Sequence, residues 1–228
     1  MMLIDKPVDW TSFDIVRKVR ALFRVRKVGH AGSLDPRATG LLIVCTGKQT
    51  KTIDTFVNAE KEYTGSFRLG IRTPSFDLET EVMERIDPSG VSEQAVTETA
   101  ASFLGHQLQK PPMYSAAKYG GTPLYRYARR GKIVEREDRE ITVARFDILS
   151  VEMPDVAFRI VCSKGTYIRS LVDAFGMKLG CGATLTELRR TRIGALQVRD
   201  AMTVEQLIEW QKKIVWNTRM LDEARTAH

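Results

Sequence analysis

Apolar residues along the chain recur at two spacings, helical and alternating, and the changes from one to the other mark its elements. Phe13, Val16, Val19 and Phe23 stand at helical spacing behind Thr11-Ser12-Phe13-Asp14, which has the form of a capping box, so a helix is predicted over 12–24. The unbroken run LLIVCT (41–46) predicts a buried strand closed by Gly47. KEYTGSFRL (61–69) alternates, with Tyr63, Gly65, Phe67 and Leu69 on one face of a half-buried strand. A second strand is predicted at about 78–86, then a turn at Pro88-Ser89-Gly90. Ser92 is placed to cap a helix containing Val96, Phe103 and Leu104, and Lys110-Pro111-Pro112 interrupts the chain after it.

Thr122-Pro123 reads as the N-cap and first residue of a short helix through Tyr127 to Gly131. Strand pattern returns at 141–151 and 156–162, with Pro154 in the connection. Ser163-Lys164-Gly165-Thr166 leads into a helix with Ile168, Leu171, Val172, Phe175 and Leu179, stopped by Gly180. A last helix starts at Thr203-x-x-Gln206. Interleaved helices and turn-linked strand pairs, with no internal repeat, predict an α+β fold around a mixed, mostly antiparallel sheet flanked by helices.

Composition adds a compartment and a partner class. At 228 residues and 43% hydrophobic content the chain can bury a real core. No apolar run approaches the roughly 20 residues of a membrane span, and the first residues lack the pattern of a secretory signal, so the expected location is the cytoplasm. Cys45, Cys162 and Cys181 have no CxxC spacing and encode no disulfide framework. The net charge is +7, yet the stretch from Thr73 to Gln109 carries seven acids against Arg85 alone, which leaves +13 on the remainder. Such segregation points to a polyanionic partner, nucleic acid first.

Cofactor chemistry finds little support. His30, His106 and His228 have no ligand spacing with one another, so no metal site is expected. Gly47-Lys48 lacks the rest of a phosphate loop, and Gly29 with Gly32 is no dinucleotide fingerprint. Ser115-Ala116-Ala117-Lys118 matches the SxxK of acylating serine enzymes, although the S-D-N partner is missing and Lys164-Gly165-Thr166 stands in the wrong order.

GHAGSLDPRATG (29–40) reads in isolation as a surface turn that builds neither a helix nor an alternating strand. Beside SKGTYIR (163–169) it acquires chemistry. A carboxylate that attacks carbon must stay ionised where water is scarce, and a guanidinium partner counters the effect of burial. Arg169 is the candidate partner of Asp35, Gly29, Gly32 and Gly40 would let backbone approach closely, and Tyr63 and Tyr167 offer flat rings for a base.

Six blocks in order make the chain similar to a known family: DKPVDWTS (5–12), GHAGSLDPRATGLL (29–42), KEY (61–63), QKPPMYSAAKYGG (109–121), SKGTYIRSL (163–171) and LRRTRIG (188–194). They resemble the TruB family of tRNA pseudouridine synthases. The resemblance implies a pseudouridine synthase catalytic fold with a central basic cleft, which isomerises uridine 55 in the TΨC stem-loop of tRNA by base flipping without cofactor or metal. It makes Asp35 the catalytic aspartate, Arg169 its ion-pair partner and Tyr63 the ring that stacks on the target base. Tyr167 becomes a second active-site tyrosine, Leu188 a pocket-lining residue, and His30 the histidine that accommodates the flipped nucleotide. Lys6 and Pro7 match a basic motif beside the site, with a role as much structural as catalytic. Arg189, Arg190 and the basic stretch 17–27 are expected to hold phosphates. Three roles are open to Asp35: attack on the sugar, attack on the pyrimidine ring, or removal of a sugar proton to give a glycal. All need the ionised carboxylate.

Asp9 stands where the family usually has glycine and Ser33 where it usually has threonine. One catalytic domain is expected over 1–228, acting as a monomer, with the C-terminal RNA-binding PUA domain absent or vestigial. Two rivals come from other classes: an RNA-binding or RNA-folding protein on the same scaffold, and an SxxK acyltransferase.

Overall fold

A computed structural model describes residues 1–214. In chain order the strands are Met2–Lys6 (β1), Val28–Ala31 (β2), Thr39–Thr46 (β3), Lys61–Leu69 (β4), Ile71–Arg72 (β5), Glu84–Arg85 (β6), Gly105–Gln109 (β7), Lys118–Tyr119 (β8), Thr122–Pro123 (β9), Arg139–Glu152 (β10), Asp155–Cys162 (β11), Ala183–Ile193 (β12) and Leu196–Gln197 (β13). The α-helices are Ser12–Phe23 (α1), Ile53–Asn58 (α2), Glu93–Ala101 (α3), Leu124–Ala128 (α4) and Ile168–Leu179 (α5), and residues 204–214 are also helical. The described residues form two compact units, Met1–Ala59 with residues 190–214, and Glu60–Arg189. This is the expected α+β composition, and the strand pairs given below are antiparallel. Among the described residues no helix is long and apolar enough to cross a membrane. His228 lies outside the described residues.

In the first unit β3 is paired by β1 on one side and by β2 at its C-terminal half. Leu41, Ile43 and Cys45 pack in one apolar cluster with Ala31 and Ile193, while Leu42 and Val44 pack in another with Ile4, Ile15, Val19 and Leu207. Both faces of β3 are therefore covered, which is why its sequence is apolar throughout instead of alternating. Helix α1 starts at the predicted capping box, with Thr11 and Asp14 each bonding the other's backbone N–H, and buries Ile15, Val16 and Val19. Its C-cap is Arg24.

In the second unit β4, β11, β10 and β7 pair in that order, close to the predicted strands at 61–69, 141–151 and 156–162. Phe67, Phe158, Phe146, Phe103 and Phe175 form an aromatic core under α5, with the Phe67 and Phe175 centroids 4.9 Å apart. Gly65 on β4 admits the crossing strand β12, since a side chain there would overlap the Glu187 carbonyl.

Three expectations are corrected. The strand predicted at 78–86 shrinks to β6, because Thr73, Ser75 and Asp77 fold the preceding chain into a side-chain-bonded loop: the Thr73 and Ser75 hydroxyls donate to the Asp77 carbonyl at 2.6 and 3.1 Å. Thr122 does not cap α4; it pairs with Tyr119 in the β8–β9 ladder, and the Leu124 N–H finds the Ala117 carbonyl at 2.7 Å instead. GHAGSLDPRATG is no free turn, because its ends belong to β2 and β3.

Candidate active site

Antiparallel pairing of His30 with Val44 and of Ala31 with Ile43 turns the quoted motif into a hairpin whose connection carries Asp35. The two residues flanking Asp35 are tied from outside. The Leu34 N–H donates to the Ser12 hydroxyl at 2.9 Å, and that hydroxyl donates back to the Leu34 carbonyl at 3.3 Å. The Pro36 carbonyl accepts from the Asp9 N–H at 2.9 Å and from Lys6 Nζ at 3.1 Å. A turn closes behind it, with the Ala38 N–H donating to the Asp35 carbonyl at 3.1 Å. Residues 5–12, read separately as a family block, thus form the splint of the Asp35 loop.

Two buried cations complete the splint. Lys6 is paired with Gly40 across β1 and β3 and is 0% exposed. Its ammonium donates to the carbonyls of Pro7 (2.8 Å), Trp10 (2.6 Å) and Pro36 (3.1 Å). Burial lowers its pKa to about 8; the charges of Asp35 and Asp9 pull it up, and that of Arg190 pushes it down. Arg190 is 1% exposed, and its guanidinium donates to the carbonyls of Leu41 (2.8 Å), Gly32 (3.0 Å) and Ser33 (3.4 Å). It clamps the loop from within, so the expectation that it holds RNA phosphate is corrected. Gly40 permits that clamp: its φ is +101°, and a side chain there would run into the Arg190 backbone.

His30 precedes this loop on β2. Burial, then the Arg190 charge, lower its pKa, so the imidazole is neutral at pH 7. Its Nδ1 is enclosed with no hydrogen-bond partner among the described residues. A neutral ring with an unused nitrogen suits contact with an uncharged nucleobase.

The second unit carries the remaining predicted residues. Tyr63 is buried on β4, opposite Ile160 of β11. Tyr167 is the N-cap of α5 and is held by Gln109, whose amide oxygen accepts from the Tyr167 N–H at 2.7 Å and whose amide N–H donates to the Tyr167 carbonyl at 2.9 Å. Two residues on, the buried Arg169 donates to the carbonyls of Ser75 and Tyr114, each at 2.9 Å, and its Nε lies 3.5 Å from the Asp77 carboxylate. Leu188 and Arg189 are half-buried on β12.

The structure therefore gathers Lys6, His30, Asp35 and Arg190 in the first unit, and sets Tyr167 and Arg169 at the start of one helix in the second. Sequence reasoning missed Asp77. It counted as one of seven acids in a negative stretch, whereas the run of small hydroxyl residues Thr73 and Ser75 beside it was the available sign of a folded, buried loop. Ser12 was likewise read only as the start of a helix. Ser115, the serine of the SxxK string, is buried and its hydroxyl has no partner among the described residues, so it lacks the base that an acylating serine needs.

The N-terminal domain of TruB family pseudouridylate synthases matches residues 20–168, and the C-terminal domain of tRNA pseudouridylate synthase B matches residues 169–224. A tRNA pseudouridine synthase B of Chloroherpeton thalassium is 48% identical over 91% of this chain and 88% of its own, and one of Flavobacterium johnsoniae 46% over 90% and 92%. Among solved structures, a Cbf5-Nop10-Gar1 complex has a similar chain at a TM-score of 0.72 and 30% identity, covering 91% of this chain and 53% of that one. An H/ACA RNP bound to a substrate RNA containing 2′-deoxyuridine gives 0.69 and 27%, covering 91% and 52%. The chain thus spans about half the length of these structural neighbours. With the Asp35 hairpin inside the first matched region and Arg169, Leu188 and Arg189 inside the second, the chain belongs to the TruB family of pseudouridylate synthases.

Proposed function

We propose that this chain isomerises uridine in tRNA to pseudouridine, that its target is uridine 55 in the TΨC stem-loop, and that both units serve this one activity as a monomer in the cytoplasm. The C1′–N1 bond breaks, C5 bonds to C1′, C5 loses a proton and N1 gains one, so the product is an isomer and no cofactor is consumed. A uracil stacked inside a folded RNA loop is out of reach, and flipping it into the site costs a few kcal/mol that new contacts must return. Tyr63 supplies the ring for stacking, on the order of 1–3 kcal/mol per base. Asp35 supplies the ionised carboxylate that all three chemical routes share, Arg169 the cation that keeps it ionised, Tyr167 and Leu188 the pocket wall, and His30 a neutral contact for the extruded nucleotide. Arg189 serves phosphate.

The observation that carries this reading is the double tether around Asp35. A surface turn has no need of two buried cations and a buried serine fixing the residues on each side, whereas a reacting carboxylate must hold its position to within about half an ångström. Incubation with an unmodified tRNA transcript, chemical labelling of pseudouridine and mapping of reverse-transcription stops tests it. One new stop in the TΨC loop is expected, and none with Asp35→Asn; a stop that persists in that variant removes Asp35 from the chemistry.

A further inference from the structure

In the last two residues of β7 the usual order of burial is reversed: Leu108 is 67% exposed, while the amide of Gln109 belongs to a residue only 7% exposed. A slip of one residue would exchange them, so the register that β7 keeps with β10, with Gln109 opposite Arg139, holds a polar side chain inside in place of an apolar one. A buried amide needs partners for its oxygen and for its N–H groups. Gln109 finds both on a single residue 58 positions on, accepting from the Tyr167 N–H at 2.7 Å and donating to the Tyr167 carbonyl at 2.9 Å.

Tyr167 is the N-cap of α5, and its own side chain makes no capping bond. In a capping box the N-cap N–H is taken by a Glu or Gln at the third helical position. Here that position is Ser170, whose hydroxyl donates instead to the Lys110 carbonyl at 3.4 Å, and the Gln109 amide fills the missing role from a separate strand. The Tyr167 carbonyl also accepts the Leu171 N–H at 3.1 Å, so the backbone of Tyr167 is fixed on both sides. Between Tyr167 and Ser170 stands Arg169, which donates to the Tyr114 carbonyl at 2.9 Å. Residues 109–114 therefore strap the first turn of α5 by three contacts. Lys110 and Tyr114 meet it with carbonyls, and Gln109 both donates and accepts.

We propose that Gln109 is a positioning residue for pseudouridine formation: its amide sets the Tyr167 backbone, and through it the placement of the Tyr167 ring and of Arg169 two residues on. The inference rests on the proposed roles of those two side chains. Gln109 is too deeply buried to serve as a ligand of the RNA, so its effect belongs to the rate at which bound substrate reacts and not to the strength of binding. A shift of about 1 Å in a group that faces a reacting centre can cost on the order of a hundredfold in rate. A helix start held by two hydrogen bonds to one peptide unit resists such a shift, whereas a cap made by a solvent-exposed side chain would not.

Two variants test it, with thermal melting as the check on folding. Gln109→Met has a similar length and makes neither bond; against unmodified tRNA transcript its kcat should fall at least about tenfold while KM stays within about threefold of wild type. Gln109→Glu adds a pH signature. As a carboxylate it accepts the Tyr167 N–H but faces the Tyr167 carbonyl without a donor, whereas the protonated acid donates to that carbonyl and accepts the N–H, which restores both bonds. The charged groups nearest this position are Lys110, Arg139 across the β7–β10 pair, and Arg136 and Asp173 along the same cavity. Three cations against one acid favour the carboxylate, which places the restoration in the acid range. The ratio of Gln109→Glu to wild-type kcat should rise from pH 7.5 to pH 5, and the ratio for Gln109→Met should stay flat; taking ratios removes the titration of Asp35 common to all. Hydrogen exchange at the Tyr167 amide, read without RNA, should be faster in Gln109→Met. Wild-type kcat in folded Gln109→Met, a raised KM with kcat kept, a pH-independent ratio for Gln109→Glu, or unfolding of both variants, which would make Gln109 structural alone, each overturns the proposal. Wild-type protein that makes no pseudouridine refutes the proposed activity instead, and the Tyr167 exchange still decides whether Gln109 fixes that backbone.

Discussion

Arg190 and Arg169 are both buried guanidiniums in this chain, yet they are held in different ways. Arg190 spends its donors on the carbonyls of Gly32, Ser33 and Leu41, all belonging to the hairpin that carries Asp35. Arg169 also holds two carbonyls, of Ser75 and Tyr114, but has a carboxylate beside it in Asp77. The first is a clamp on backbone; its charge is tolerated because carbonyl dipoles surround it. The second has the Asp77 carboxylate beside it, so its geometry depends on a side chain that can be changed. The difference teaches that a double-arginine motif such as Arg189-Arg190 need not be read as two phosphate ligands, since β12 buries Arg190 completely and leaves Arg189 only half-buried.

The largest expected effect separates the two arginines by rescue. Arg190→Met leaves three carbonyls without their donor, at about 1–3 kcal/mol for each that stays dry, so a loss of several kcal/mol is expected in urea unfolding. Arg169→Met should cost a similar amount, about 3–5 kcal/mol, chiefly because the Asp77 carboxylate is left buried and unbalanced. Adding Asp77→Asn should return a part of the second loss, with a coupling of about 1–3 kcal/mol, and none of the first. Equal rescue, or none in either background, would erase the distinction.

The sequence shows the two arginines less clearly than it shows the elements around them. The capping box of α1, the apolar run of β3, the alternation of β4 and the stop of α5 at Gly180 were all legible, because each depends on neighbours within a few residues. β12 was not, although it carries Leu188, Arg189 and Arg190. Its burial does not alternate, since Ala183, Thr184 and Leu185 are covered in succession and Arg190 is buried among backbone carbonyls. The same holds at the site. Asp35 could be picked out by its glycines and the Asp-Pro step, while Ser12, Lys6 and Asp77 act through contacts with residues 22, 30 and 92 positions away. Such partners leave no local pattern to read.

A middle-sized effect comes from the other cation of the splint. Three ammonium donors meet three carbonyls at Lys6, and losing the proton turns a lone pair toward one of them. The folded-state pKa is about 8, below the ordinary 10.5. Between those two values the unfolded chain binds more protons than the folded one, so this group alone makes the fold more stable as pH rises through that window. Activity should move the other way, falling above pH 8 by up to about tenfold per unit as the tether on Pro36 loosens. Single-turnover rates and urea midpoints taken together from pH 7 to 9.5 check this. A rate that falls only where stability also falls would mean general alkaline unfolding and would leave Lys6 no special part.

The smallest effect concerns Asp9, whose φ is +64° and whose N–H donates to the Pro36 carbonyl. The glycine that the resemblance leads one to expect at this position would have a physical reason, because a left-handed backbone is costly for most side chains and least so for Asp and Asn. Asp9→Gly keeps the backbone bond and relieves the strain, but it frees the unfolded chain by about 0.4–1 kcal/mol, so the net change in stability should stay under about 1 kcal/mol. The charge matters separately. Asp9 is one of the groups that raise the Lys6 pKa, so its removal should shift the alkaline loss of activity to lower pH while the rate at pH 7 is kept. Asp9→Asn divides the two contributions, since it loses the charge but retains a side chain that tolerates this backbone. It should show the pH shift without the gain from strain relief, and an unmoved alkaline limb in both variants would show that Asp9 acts on Pro36 through its backbone alone.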